Sequence, residues 1–140
     1  MDIISHAIAG ASAGAMFQRP IFGAAVAVLP DLVLGVKRVS SPTVPYRVTH
    51  SLLFVLFAWA VIYPWGHQLA LCAAIALASH LLLDLPTHGP VWAPRLFYPF
   101  SDASFDHAVE WEWFSTSWFI GLGLTVMWSV ICLTIAFNVR

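Results

Sequence analysis

Hydrophobic positions in this chain come in long blocks rather than in short alternation, and polar residues collect at the block ends, the pattern of helices buried in an apolar medium. The first block, "IISHAIAGASAGAMF" (3–17), is rich in Ala, Gly and Ser and ends at Gln18, Arg19 and Pro20. Small residues of this kind let helices approach closely in lipid. The second, "PIFGAAVAVLPDLVLGV" (20–36), opens on a proline suited to a helix N-terminus and carries Pro30, which should kink or end the helix just before Asp31. Residues 51–65 and 68–84 form the next pair, joined by the turn "PWGH". The latter is about 26 Å long at 1.5 Å per residue, close to the thickness of a bilayer core, and Pro86 stops it. The last block, 115–139, is long enough to cross a membrane with some tilt. Residues 85–114 between them are rich in Pro and aromatics, which suits an interfacial loop with a short amphipathic helix at 104–113. The pattern predicts an all-α fold: a polytopic membrane bundle of about four to five helices, forming one membrane-embedded domain over residues 1–140.

Threading these helices back and forth across a bilayer segregates the polar residues. The start of the first helix, Asp31, His50, His80 with Asp84, and the 85–114 loop all fall on one side, which then holds all seven acids and every histidine except His67. Ionisable groups at membrane depth cost roughly 2.5 to 3.5 kcal/mol each on insertion scales, so a cluster of them marks a site. Lys37, Arg38, Arg47 and Arg95 share that side, against Arg19 and Arg140 on the other, and the positive-inside rule then puts the site in the cytoplasm.

Composition agrees with the membrane reading. Hydrophobic residues make up 60% of the chain and charged residues 9%, against about 25% charged in a soluble domain. A net charge of -1 with scattered cations lacks the basic patch that phosphate backbones require, which argues against nucleic acid as a partner and leaves membrane lipid. Cys72 and Cys132 lie inside apolar blocks, where a free thiol behaves as a small hydrophobe, so neither a disulfide framework nor a thiolate metal site is expected. The acid near the start, in "MDIISHAIAG", is unlike the basic n-region of a cleaved signal peptide.

His80 and Asp84 stand four residues apart on one helical face, where two side chains can share an ion. Imidazole and carboxylate suit a divalent cation of the zinc type at about 2.0 to 2.2 Å. His6, Asp31 and His50 reach the same membrane level in the threading. The five together, His6, Asp31, His50, His80 and Asp84, form the candidate metal-ligand set. Each has an ordinary reading when taken singly: a buried hydrogen bond for His80 with Asp84, a helix cap for Asp31, an N-terminal polar cluster with Thr49 and Ser51 for His50, and an interhelical hydrogen bond for His6. Their convergence on one level favours a metal site. His88, His107 and Glu110 lie in a loop that offers many innocuous places for them.

At these residues the chain resembles a family. "ISHAIAG", "LPD", "RVTHSLLF", "SHLLLDLPTHG" and "LFYPFS" follow the ordered motifs of the YdjM-like bacterial inner-membrane proteins, described as metal-dependent hydrolases, over about residues 3–101. The resemblance implies a multi-pass protein of the bacterial inner membrane, a hydrolase activity, and the same five metal ligands. A more distant likeness, in the His-x-x-x-Asp pair with separate His and Asp ligands, is to zinc-dependent phospholipase C and S1/P1-type nucleases, which implies phosphoesters as substrates. Two positions depart from the family pattern: Val33 stands where a second carboxylate is common, and Tyr46 where a further histidine is.

The function these readings support is metal-assisted hydrolysis at the bilayer surface. Asp31 or Asp84 would accept a proton from water, Arg47 would hold a substrate phosphate or carboxylate, and Thr49 and Ser51 would orient neighbouring groups. A site at headgroup level favours a lipid or other amphiphile over a soluble metabolite. Two readings without catalysis compete: a scaffold or partner-binding protein with a structural metal or a hydrogen-bonded His/Asp cluster, and a transporter, which would need polar residues along a path that the apolar blocks do not provide.

Overall fold

Helix α1 (Ile3–Ala15) starts where the Asp2 side chain accepts the Ser5 amide at 2.8 Å, satisfying one of the unpaired donors of the first turn. The computed structural model describes residues 2–32, 42–89, 91–104 and 114–138. In it α1 is followed by α2 (Pro20–Leu32), a short α3 (Val44–Thr49), α4 (Leu52–Ile62) continued by a 3-10 turn (Tyr63–Trp65), α5 (His67–Asp84) and α6 (Thr116–Asn138). The fold is all-helical among the described residues. All five apolar blocks become helices within a few residues of the expected bounds. The amphipathic helix expected at 104–113, together with Val33, Lys37, Arg38, His107 and Glu110, lies outside the described residues from position 105 on and between 33 and 41.

Two local expectations change. Pro30 does not end its helix before Asp31: α2 runs through it to Leu32, because the missing N–H removes only the bond that the Val26 carbonyl would accept. Asp31 is therefore a helical residue, and the reading of it as a cap falls. The segment before His50, which carries no long apolar block, forms a sixth helix, α3, opened by Pro45 at its first turn and ended by His50.

Helices α5 and α6 are long and apolar enough to cross a membrane; α1, α2 and α4 with its 3-10 turn are shorter apolar helices. Helix α5 occupies the centre, packing on α1, α2 and α4 through Ala73, Ala76, Leu77 and Leu81 against Val26, Ala27 and Val55. Helix α6 touches mainly α1. Its buried residues, Ser117, Gly121, Thr125, Cys132 and Ala136, make one small-residue stripe, sealed by the Trp128 indole donating to the Ala9 carbonyl and by a Ser12–Ser129 hydroxyl contact of 2.9 Å. The rest of α6 presents large apolar side chains outward, such as Phe119, Val130 and Phe137, as a lipid-facing helix does. Cys72 and Cys132 are free and buried, in keeping with their apolar setting.

The tightest crossing is α1 on α2. Gly10 and Gly14 form a GxxxG stripe that meets Gly23 and Ala27, and a Cβ at Gly23 would stand 2.8 Å from the Gly14 Cα. This backbone-to-backbone approach brings the start of α1 and the end of α2 to the same end of the bundle, beside the end of α5. Gly23→Ala should therefore lower the unfolding midpoint of the detergent-solubilised protein, a loss of about 1 to 3 kcal/mol from overpacking. Gly123→Ala, where a Cβ meets open space on α6, should leave it unchanged or slightly raised in the same thermal scan.

Candidate metal centre

The end of the bundle where α1 begins and α2 and α5 finish is closed by the α3–α4 junction, and each of these elements contributes one or two polar side chains. His6 comes from the second turn of α1, Asp31 from the end of α2, His50 from the junction, and His80 with Asp84 from the last two turns of α5. His6, His50, His80 and Asp84 have fully buried side chains; Asp31 retains 18% exposure.

Two of the imidazoles are oriented by the backbone. His80 Nδ1 lies 2.7 Å from the Ala27 carbonyl on α2, and His50 Nδ1 lies 3.0 Å from the Tyr46 carbonyl one turn back in α3. A carbonyl can only accept, so both Nδ1 atoms carry hydrogen, and in the neutral imidazole each Nε2 is then the lone-pair nitrogen. Those two Nε2 atoms face each other at 3.1 Å. Two lone pairs at that distance repel unless a cation or a proton lies between them. Ligands of a tetrahedral ion with bonds near 2.05 Å are separated by roughly 3.3 Å, so the spacing suits a shared metal.

The carboxylates complete the set. Asp84 lies 3.0 Å from His6 Nε2, 3.2 Å from His80 Nε2 and 3.6 Å from His50 Nε2, whereas Asp31 stands farther off, 3.6 to 3.8 Å from the same three nitrogens. Two triads could hold a metal ion: His6, His80 and Asp84, and Asp31, His50 and His80, with His80 common to both. His6 is stacked on His80 with ring centroids 3.8 Å apart, and neither of its ring nitrogens makes a well-angled hydrogen bond among the described residues. A buried imidazole left in that condition fits a ligand better than a hydrogen-bonding spacer.

Tyr46, at the position where the resemblance suggests a further histidine, supports the site from behind. Its ring stacks on His50 at 3.8 Å, its carbonyl fixes the His50 tautomer, and its hydroxyl donates to the Trp92 carbonyl at 2.6 Å. Burial, helped by the nearby carboxylates, pushes the phenol well above its ordinary pKa, so it remains a donor at any physiological pH. Thr49 sits between the ligand-bearing elements, with Oγ1 3.1 Å from the Tyr46 carbonyl, 3.2 Å from His50 Nδ1 and 3.5 Å from the Pro30 carbonyl. It thereby ties the end of α2, and so Asp31, to the His50 turn. Ser51 caps α4, accepting the Phe54 amide.

The family model of the YdjM inner membrane protein matches residues 1–139. The chain belongs to the YdjM inner membrane protein family. It is accordingly an inner membrane protein, and the His/Asp cluster is the polar centre of this YdjM-family fold. No curated protein matches the chain, and no solved structure does.

The five residues expected as ligands lie in one cluster, as two overlapping triads that share His80. Arg47 points elsewhere: its guanidinium pairs with Asp102 at 3.3 Å, one-third exposed. His88, read as a loop residue of no particular consequence, lies 3.0 Å from Asp84 through Nδ1 and is part of the cluster's periphery. The signal for it was present, since His88 stands four residues after Asp84, the same separation as His80 before it. Tyr46→Phe should cost about 1 kcal/mol, the worth of its hydrogen bond to Trp92, read as a lower thermal midpoint in detergent with the helical circular dichroism unchanged.

Proposed function

We propose that this protein is a membrane-bound metal-dependent hydrolase that acts at one face of the bacterial inner membrane on a phosphoester or lipid-like substrate. The observation that carries the proposal is the facing pair of His50 and His80 Nε2 atoms, each ring oriented by a backbone carbonyl at Nδ1 and flanked by two carboxylates. Nitrogen and oxygen donors without thiolate favour zinc or a similar divalent ion. The chain is multi-pass in this reading, with the cluster at headgroup level on the cytoplasmic side.

A divalent ion held by His6, His50, His80 and Asp84 would supply Lewis acidity, polarising an ester or phosphoryl oxygen and acidifying water. The chain's own residues divide the remaining work. Asp84, fully buried and closest to the imidazoles, holds the positive charge in place. Asp31 is the one carboxylate of the cluster open to solvent and the one set farther from the imidazoles, so it is the group that takes the proton from the attacking water. Thr49 and Tyr46 keep His50 in the tautomer that leaves Nε2 free.

The complete burial of three histidines and Asp84 favours a second reading, a structural metal staple in a membrane scaffold, because closed sites are structural and catalytic ones keep an open position. Elemental analysis of the detergent-purified protein should find about one equivalent of zinc or a similar ion, lost in His50→Ala and His80→Ala. Thr49→Val should weaken metal binding by roughly 10- to 100-fold in a competition titration. Metal-dependent release of product from phospholipid or phosphodiester substrates, abolished by Asp31→Asn with metal retained, establishes the hydrolase. A full metal complement with no turnover of any such substrate establishes the staple, and absence of metal after zinc is supplied overturns both.

A further inference from the structure

An open groove of about 510 Å³ has an almost wholly apolar wall, formed by Val48 of α3, Ser51 at the α3–α4 junction, Phe54 and Phe57 of α4, and Tyr98 and Pro99 from the segment after α5. Its two walls are joined by a backbone hydrogen bond of 2.9 Å from Leu52 N–H to the Leu96 carbonyl. Val48 and Ser51, which line the groove, flank Thr49 and His50 in the chain. Phe57 is exposed along its outer side, where a membrane helix faces hydrocarbon.

One arginine precedes each wall. Arg47 adjoins Val48, and Arg95 stands three residues before Tyr98. Both guanidiniums reach Asp102, Arg47 to its carboxylate and Arg95 to its carbonyl oxygen. The Nε atoms of Arg47 and Arg95 are buried and have no hydrogen-bond partner among the described residues. Only Arg47 meets the Asp102 carboxylate, so the two guanidiniums and this one acid retain a net positive charge and fork geometry for an anion with several oxygens.

We infer that Arg47, Arg95 and the groove form a subsite for an amphiphile with a phosphate headgroup, the phosphate held by the two arginines and the hydrocarbon chain laid between α4 and the Tyr98–Pro99 segment. The inference rests on the hydrolase reading for its purpose, as it places a lipid phosphate beside His50, but not for its observations. Asp102 occupies Arg47 in the absence of ligand and is displaced by the phosphate. The apolar groove accounts for the chain and the arginine pair for the headgroup, so a free phosphate ion uses only half of the subsite.

The test uses the full-length protein in phosphatidylcholine nanodiscs with lysophosphatidic acid that carries a photoreactive diazirine in its chain, the adducts being mapped by mass spectrometry. Labelling should concentrate at Phe54, Phe57 and Tyr98 over the exposed face of α6 by at least tenfold. It should fall to the α6 level in Arg95→Gln and in Arg47→Gln, and rise in Asp102→Asn. A diazirine monoacylglycerol, which lacks the phosphate, should show no enrichment, and inorganic phosphate at millimolar concentration should not displace the lysophosphatidic acid. Labelling spread over α6 and the groove in proportion to exposure overturns the inference, as do equal enrichment of the monoacylglycerol and displacement by millimolar phosphate. The metal content and labelling of the wild-type protein separate the two readings: groove enrichment in protein that takes up no metal upholds the subsite while the hydrolase fails, and absence of enrichment in protein that carries its metal and turns over substrate overturns the subsite alone.

Discussion

A carboxylate with no exposed surface at the end of an apolar helix sets the terms for this molecule. Asp84 belongs to a helix apolar enough to cross a bilayer, and nothing in hydrocarbon repays the loss of its hydration. Three histidines within 3.0 to 3.2 Å answer that demand, two of them from its own chain neighbourhood at four residues before and four after, and one from α1. The imidazoles of the cluster must be held in turn: a backbone carbonyl of α2 receives His80, and one of α3 receives His50, which stands 3.6 Å from Asp84. The polar centre propagates outward in this way until it meets Tyr46 and Trp92 at the edge of the bundle.

That assembly requires helices closer than ordinary side chains permit. The glycines of α1 and α2 let the two backbones touch, so His6 and Asp31 arrive at the same depth as the end of α5. Pro30 contributes at the same place: the helical bond it removes lies beside the Ala27 carbonyl that receives His80. Packing and chemistry are thus one construction, since the crossing that makes the bundle stable is the crossing that brings the ligands together. Helix α6 stands apart from this. It packs on α1 through small residues and gives most of its surface to the surroundings, which suits an anchoring helix rather than a member of the site.

The centre has a closed side and an open side. Asp84 and the stacked His6 and His80 are sealed in the bundle, while Asp31 meets solvent and the His50 turn borders the apolar groove.

Block hydrophobicity determined the five long helices, because a segment without water to satisfy its amides must pair them internally and the helix is the local way to do so. The spacing His80-x-x-x-Asp84 and the alternation of helix direction along the chain already place His6, Asp31, His50, His80 and Asp84 at one end of the bundle, since successive antiparallel helices return to the same end whatever the packing details. The short helix α3 was not legible, as a six-residue helix leaves no periodic trace, and of the two outcomes open at Pro30, a kink or an end, the sequence could not exclude the end, because whether a proline ends a helix depends on what the flanking elements supply. Only the tertiary structure decided the tautomers of His50 and His80, the 3.1 Å approach of their Nε2 atoms, the diversion of Arg47 to Asp102 and the support that Tyr46 lends. Those are matters of which carbonyl or carboxylate lies within about 3 Å of a given nitrogen, and such distances are set by how closely helices far apart in the chain pack, not by the order of residues along any one of them.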